Sequence, residues 1–206
     1  STSINFLLGK AYFLMGKAQA EDPDMGGNPG SAFYDGEQYF RKALALDPGH
    51  FEARLLLASA LYMNNNLEEA MEHGEICLQE KGEDTQALQM AGLIGIVLYA
   101  QAGEGADPAD LDLVISRLKK ALAVDPSLAV AHLRLSDAHL YKADIPAAVE
   151  ALKKGIKACP GHNPLHERLL DFNGMEQGIT PREAITFYRS EIETRSAGLA
   201  MEGHAT

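Results

Sequence analysis

The sequence lacks the features of several large protein classes. Only two of its 206 residues are cysteines, which is too few for the disulfide framework of a small secreted domain. No stretch reaches the roughly 18 consecutive apolar residues that a membrane-spanning helix needs. The first residues do not combine a basic segment with an apolar one, as a signal peptide would. The sequence therefore argues against a disulfide-rich or membrane-spanning protein.

The cellular location follows less directly. The two cysteines, Cys77 and Cys159, fit a reducing compartment, so we expect a cytoplasmic protein. The chain does not begin with Met, and a leader or a neighbouring domain could precede Ser1. A periplasmic or secreted location therefore stays open.

Positive charge is also scarce. The chain has 18 Lys and Arg residues against 29 Asp and Glu residues, which gives a formal net charge of -11. An acidic protein repels the phosphates of nucleic acids and of anionic lipids, so we expect neither as a partner. Hydrophobic residues make up 46% of the chain and charged residues 23%, which is typical of a folded protein.

Catalytic and cofactor-binding motifs are missing as well. The sequence has no Gly-x-Ser-x-Gly nucleophile motif, no P-loop and no Rossmann glycine pattern. The glycine-rich run 26–30 lacks the Lys-Ser/Thr pair that a phosphate loop needs. Cys159, His162 and His166 have a spacing compatible with a metal site, but prolines interrupt the run and no fourth ligand is evident nearby. We therefore expect no enzymatic activity, no cofactor and no bound metal.

What the chain does contain is an internal repeat. Three segments end alike, with basic residues late in a helical pattern and then a proline, at 40–48, 118–126 and 152–160. The step from Pro126 to Pro160 is 34 residues, and the same step from Pro48 reaches Gly82, another helix stop. The first helix of each repeat has a small residue at an equivalent position, in order Gly9, Ala58, Gly92 and Ser136. These residues predict close contact between the two helices of a hairpin.

The period and the recurring Leu-Gly-x-x-Tyr, Ala-x-x-x-Phe and Pro pattern resemble the tetratricopeptide repeat (TPR) family. In the first repeat, Leu8, Gly9 and Tyr12 carry the first part of the pattern, and Gly36 and Phe40 carry the second. The resemblance covers about residues 4–160. Departures from the pattern fall in the second and third repeats, at Gly74, Gly82 and Gly95.

The resemblance implies an all-α, right-handed solenoid of antiparallel helical hairpins. It predicts a single domain over 1–206, with repeats at about 2–50, 51–84, 85–128 and 129–162. A degenerate capping hairpin would occupy 163–200, with helices at 163–173 and 180–199. Segments 19–31 and 102–109 are rich in Gly, Pro and Asp, so they are predicted to be loops between the first and second helices of their repeats.

Three side chains that invite a functional interpretation are predicted to be structural. His132 and His139 are seven residues apart on one helix face, at positions that the family usually fills with aromatic residues. Cys77 is at a small-residue core position. We expect all three to be packed inside the protein, with Cys77 unreactive.

In TPR proteins the first helices line a concave groove, so the resemblance implies partner-binding residues on these helices. Their positions in this sequence are Phe6, Lys10, Phe13, Leu14, Leu55, Tyr62, Met63, Gln89, Leu93, Ile96, Val97, Leu133, Asp137 and Tyr141. Relatives that bind chaperones grip a carboxylate with Lys, Asn and Arg at such positions. This chain has only Lys10 of that set, which argues against a heat-shock chaperone adaptor. The apolar character of the groove is suited to an amphipathic helix or an apolar peptide.

The resulting hypothesis is a non-catalytic scaffold that binds a protein or peptide in this groove. Three alternatives stay open: an accessory TPR segment of a larger multidomain enzyme or assembly, a site for a small apolar ligand or lipid in the groove, and a homo-oligomer. The sequence does not identify the partner.

Overall fold

The computed structural model describes residues 1–176, which form nine α-helices and two short 3-10 helices without any β-strand. The predicted helix at 180–199 lies outside these described residues. The chain divides into two compact units, Ser1–Asp125 and Pro126–Thr206. We call them the first unit and the second unit. No helix in residues 1–176 combines the length and the apolar character needed to cross a membrane.

The first unit contains six helices that pack as consecutive pairs. They are α1 (Thr2–Glu21), α2 (Pro29–Leu46), α3 (Phe51–Met63), α4 (Leu67–Glu80), α5 (Thr85–Ala102) and α6 (Pro108–Val124). The 3-10 turns Pro23–Met25 and Gly103–Gly105 lie in the two predicted loops. Helix α1 extends three residues into the first of these segments, and α5 ends where the second begins.

The second unit contains three described helices, α7 (Ala129–Tyr141), α8 (Ile145–Ala158) and α9 (Asn163–Glu176). Helix α8 packs against α7, and α9 packs against both. Helix α9 continues three residues beyond its predicted end. The described part of the chain, residues 1–176, is therefore all-helical, as expected, and every hairpin in it joins two sequential helices.

Local signals explain where the helices begin. The side chains of Asp84, Asp107 and Asp144 accept hydrogen bonds from backbone N–H groups in the first turns of α5, α6 and α8. Asn28 does the same for α2. Such bonds satisfy donors that have no partner within the helix. Proline occupies the first turn of α2, α6 and α8, where its missing N–H costs nothing.

Small residues allow the paired helices to approach closely, as predicted. A Cβ atom at Gly9 would lie 2.7 Å from Cδ1 of Phe40, whose side chain is fully buried between α1 and α2. A Cβ atom at Gly92 would lie 2.6 Å from Cδ2 of Leu118 in α6. The glycines therefore provide the space into which the large side chains of the second helices pack.

The predicted burial of His132, His139 and Cys77 is also observed. His132 and His139 are buried, and His132 Nε2 lies 3.0 Å from the carbonyl oxygen of Pro126. Cys77 is fully buried, and burial raises the pKa of its thiol to about 11. Because the thiolate is the reactive form, both the burial and the raised pKa disfavour reaction of this cysteine at neutral pH.

Ion pairs connect the second helices of the first unit. Arg41 of α2 donates two hydrogen bonds, of 2.6 and 2.8 Å, to the carboxylate of Glu69 in α4. These bonds lower the pKa of Glu69 below its usual value. Arg117 of α6 pairs with Glu75 of α4. Helix α4 is therefore joined to the second helix on each side by a charge-assisted hydrogen bond.

Candidate functional site

The first helices of the first unit lie side by side, because α3 packs against both α1 and α5. Eleven of the fourteen predicted groove residues are on these helices. Equivalent positions recur at the repeat step, so residues 14, 63 and 97 form one row and residues 6, 55 and 89 another. The structure thus brings together three helices that carry predicted groove residues.

Three of these eleven residues are not accessible. Leu55, Leu93 and Ile96 are buried, and Leu55 packs with Cys77 and Ala87 in a small core cluster between α3, α4 and α5. These three buried side chains contribute to the packing between the helices that carry the surface. The other eight are half-buried or exposed, namely Phe6, Lys10, Phe13, Leu14, Tyr62, Met63, Gln89 and Val97.

The exposed apolar residues among these eight are Leu14 of α1 and Met63 of α3. Tyr62 and Val97 are half-buried, and both pack against the main core cluster of the first unit. Phe13 has ring contacts with Phe33 and Phe40 at centroid distances of 5.5 and 6.5 Å. The surface is therefore apolar, and it rests on a packed aromatic layer.

The only lysine among the predicted residues is already paired. Lys10 Nζ lies 3.0 Å from a carboxylate oxygen of Glu52 and 5.7 Å from the ring centre of Phe6. The Phe6 ring in turn lies 4.7 Å from the His50 ring. Both members of the ion pair are well exposed, so the pair contributes little to stability. The Glu52 carboxylate nevertheless neutralises the charge of Lys10, which disfavours binding of a partner's carboxylate at this position.

The three remaining predicted residues are on α7, in the second unit. Leu133 is half-buried and Tyr141 is exposed. Asp137 is buried, and its carboxylate lies 3.0 Å from Arg134 and 3.0 Å from Arg168 of α9. Because both carboxylate oxygens are engaged, Asp137 connects α7 to α9 and has little capacity left for a partner.

A cleft that the sequence did not predict lies between α4, α5 and α6. It has a volume of about 580 Å³, and its wall includes Met71, Leu98, Tyr99, Leu113, Val114, Glu68, Glu75, Asp110 and Arg117. Its rim includes Ala102 and Ala106, on either side of the 3-10 turn. The available sequence signal was the insertion at 102–109, but an insertion alone does not reveal a cavity.

The cysteine and histidines with metal-like spacing are engaged separately. Cys159 Sγ donates a hydrogen bond to the carbonyl oxygen of Ser127. His166 Nε2 lies 2.9 Å from the carbonyl oxygen of Pro160. Over residues 1–176, no group of three or more His, Cys, Asp or Glu side chains is arranged to hold a metal ion.

Comparison with known proteins identifies the repeat. Residues 27–73 match the family model described as Tetratricopeptide repeat. The resemblance to TPR proteins is confirmed. The match spans α2, α3 and part of α4, and the rest of the described chain continues the same pairing of helices. No curated protein matches this chain in sequence.

Solved TPR structures share the fold at low sequence identity. A thermophilic TPR protein in Thermus thermophilus is 20% identical, with 98% of this chain and 95% of that chain covered and a TM-score of 0.69. MamA is 18% identical, with coverages of 82% and 92% and a TM-score of 0.62. YrrB, described as a TPR protein with an unusual peptide-binding site, is 19% identical, with coverages of 78% and 73% and a TM-score of 0.55. At these identities, the similarity establishes the TPR solenoid class of fold.

Proposed function

We propose that this protein is a non-catalytic interaction scaffold that binds an apolar peptide or an amphipathic helix of a partner protein. The proposed binding surface is formed by the first helices of the first unit, around Leu14, Tyr62 and Met63. The observation that carries the proposal is the exposure of Leu14 and Met63 on the adjacent helices α1 and α3, whose half-buried Phe13 and Tyr62 pack against one core cluster. An exposed apolar patch on a rigid base is typical of a protein-binding site.

The chemistry of the surface indicates which partner segment would fit. Lys10 is neutralised by Glu52, and the nearby candidates Gln89 and Tyr62 can form hydrogen bonds without contributing charge at neutral pH. A helix with apolar residues at spacings of three and four would cover such a surface with one face. The net charge of -11 favours a partner with basic residues outside that face.

Similarity to other TPR proteins supports this proposal. YrrB has the same class of fold and is described as having a peptide-binding site. The proposal for the present chain nevertheless rests on its own residues, because a sequence identity of 19% is too low to transfer binding residues from YrrB.

The test uses the full chain as bait in its native lysate. The wild type is compared with Met63→Glu, which places a carboxylate on the proposed binding surface. The matched control is Leu46→Glu, because Leu46 is also an exposed apolar residue but lies at the end of α2. Circular dichroism first establishes that all three proteins are equally helical.

We expect a partner that wild type and Leu46→Glu retain and that Met63→Glu loses. For the binding segment of that partner, calorimetry should give a dissociation constant at least about tenfold weaker with Met63→Glu, because a charge is buried without a counter-charge. Equal retention by all three proteins would reject this surface as the binding site.

The cleft between α4, α5 and α6 favours a second candidate function, the binding of a small amphipathic cation. Its volume lies within the usual range for ligand sites. Its wall has three carboxylates against one guanidinium, and that guanidinium is paired with Glu75. Native mass spectrometry of wild type and of Leu113→Trp, which narrows the cleft, would test this candidate. A bound cation lost only in the variant would support it.

A further inference from the structure

Helix α1 presents apolar side chains on two sides. One side, which includes Gly9, Phe13 and Gly16, packs against α2. The other side has large apolar side chains at positions 4, 7, 8, 14 and 15. We call these residues, together with the exposed Ala11 between them, the α1 stripe: Ile4, Leu7, Leu8, Ala11, Leu14 and Met15. Its five large side chains are between 39% and 61% exposed.

Exposure of this extent is unusual for a regular helix. A surface helix normally has one apolar face and one polar face, and a helix that is apolar on both sides is normally buried on both. In α3, which lies between α1 and α5, the only strongly exposed large apolar side chain is Met63. The α1 stripe is therefore a contiguous surface suited to packing against another helix, rather than a set of isolated exposed residues.

We propose that the α1 stripe pairs with the α1 stripe of a second copy of this chain, antiparallel and around a two-fold axis at Ala11. The spacings of three and four residues are those of helices that pack side by side. A two-fold axis at residue 11 places Leu7 opposite Met15 and Leu8 opposite Leu14. The small side chain of Ala11 at the centre lets the two backbones approach, while larger residues close the contact on either side.

The polar residues of α1 are compatible with this pairing. The same two-fold axis places Lys17 opposite Asn5 and Lys10 opposite Tyr12, so no like charges face each other. Lys10 is also paired with Glu52 of its own chain. A contact in which one surface packs against its own copy must be self-complementary. The stripe meets that condition because four of its five large residues, at 7, 8, 14 and 15, are distributed symmetrically about Ala11, while Ile4 faces the smaller Ala18.

The area of the stripe predicts a reversible dimer. At the observed exposures, the five large side chains offer roughly 500 Å² per copy, so the pair would bury about 1,000 Å², near the lower bound of specific interfaces. Each copy also has a net charge of -11, which opposes association at low salt. We therefore expect a dissociation constant on the order of micromolar that becomes tighter as the salt concentration rises.

The experiment is sedimentation equilibrium of the full chain over about 1 to 200 µM, at low and at high salt. The wild type should follow a monomer–dimer equilibrium. Leu7→Glu and Met15→Lys should each weaken dimerisation at least about a hundredfold, because each substitution occurs twice in a symmetric interface. Leu46→Glu, outside the stripe, should dimerise like the wild type.

The double variant Leu7→Glu/Met15→Lys tests the antiparallel register. In the proposed pairing, each introduced carboxylate faces an introduced ammonium, so the double variant should regain at least about tenfold of the lost affinity. Circular dichroism of each variant separates lost pairing from lost folding, and the double variant tests the pairing even if one single variant unfolds.

Several results would overturn the proposal. A wild type that stays monomeric at the highest concentration would exclude pairing. Dimerisation that is unchanged by Leu7→Glu would locate the contact elsewhere, and a double variant weaker than both single variants would exclude the register. Leu14 belongs to both proposed surfaces, whereas Met63 belongs only to the peptide-binding surface and Leu7 only to the stripe. Met63→Glu should therefore leave dimerisation unchanged and Leu7→Glu should leave peptide binding unchanged, so the failure of one proposal is distinguishable from the failure of the other.

Discussion

In both the α1–α2 pair of the first unit and the α7–α8 pair of the second unit, a glycine on one helix makes room for a large side chain from the other. The two pairs differ in which helix carries the glycine. In α1–α2, Gly9 is on the first helix and receives Phe40 from the second. In α7–α8, Gly155 is on the second helix and receives His132 from the first. The comparison shows that a close helix pair requires a small residue opposite a large one. Either the first or the second helix of the pair can provide the small residue.

The two units also differ in where their ion pairs lie. In the first unit, Arg41 and Glu69 connect two second helices. In the second unit, Asp137 on the first helix α7 binds Arg134 and Arg168. Asp137 is buried whereas Glu69 is partly exposed. The same kind of bond should therefore contribute differently to stability in the two units.

The largest expected effect is the loss of folding stability when the large side chains of Phe40 and His132 are removed. Phe40→Ala should destabilise the helices of the first unit by about 3–5 kcal/mol, because it leaves a cavity in a closed apolar core. His132→Ala should cost about 1–3 kcal/mol, since a smaller ring and one hydrogen bond are lost. Urea unfolding monitored by segment-resolved hydrogen exchange would measure both. Equal costs would mean that the two contacts are energetically equivalent, contrary to this interpretation.

A second prediction concerns the glycines. Gly9→Ala should cost about 1–3 kcal/mol through overpacking against Phe40, and the cost should fall when Phe40 is also changed to Leu. Gly155→Ala should cost at least as much, because its added Cβ would lie 2.7 Å from the Cβ of His132, which cannot move without the α7 backbone. The same unfolding measurement applies. Strictly additive effects of Gly9→Ala and Phe40→Leu would argue against direct contact.

The ion pairs allow a third comparison. Asp137→Asn should destabilise the second unit by about 1–3 kcal/mol, because two guanidinium groups lose their buried counter-charge. Glu69→Gln should cost less than about 1 kcal/mol, since its side chain is partly solvated. Faster amide exchange in α7 and α9 of Asp137→Asn would identify the affected helices. A larger loss from Glu69→Gln would reverse the proposed order.

The smallest expected effects are in the two tight turns. Asn65, after α3, and Ala143, after α7, both have positive φ, at 61° and 56°. Alanine adopts this conformation at a cost, whereas asparagine tolerates it. Ala143→Gly should therefore stabilise the second unit by about 0.5 kcal/mol, and Asn65→Gly should change stability little. A destabilised Ala143→Gly variant would indicate that the Ala143 side chain has a favourable contact.

Much of the fold was predictable because its signals are local. The prolines at 48, 126 and 160 follow the ends of α2, α6 and α8, and aspartates precede α5, α6 and α8. The small residues at Gly9 and Gly92 correctly indicated close helix contacts. The predicted division into four repeats and a capping hairpin within one domain stays a prediction, and its last helix lies outside the described residues.

The candidate site was less predictable. The resemblance to TPR proteins implied groove positions for Leu55, Leu93 and Ile96, yet these side chains are buried, because a helix between two others has apolar residues on more than one side. The sequence also did not reveal the cleft at α4–α6, or the pairing of Lys10 with Glu52, 42 residues away. Contacts between distant helices depend on side-chain directions that a repeat step does not specify.

The repeat pattern alone determined the all-helical class, the order of the hairpins and most helix ends. Their causes lie within a few residues of each helix end: capping side chains, prolines and small residues at fixed offsets. Only the tertiary structure decided which apolar residues become core and which, such as Met63 and the residues of the α1 stripe, remain exposed. The reason is that burial depends on which other helices pack against a given face, and this is a property of the folded chain rather than of any one helix.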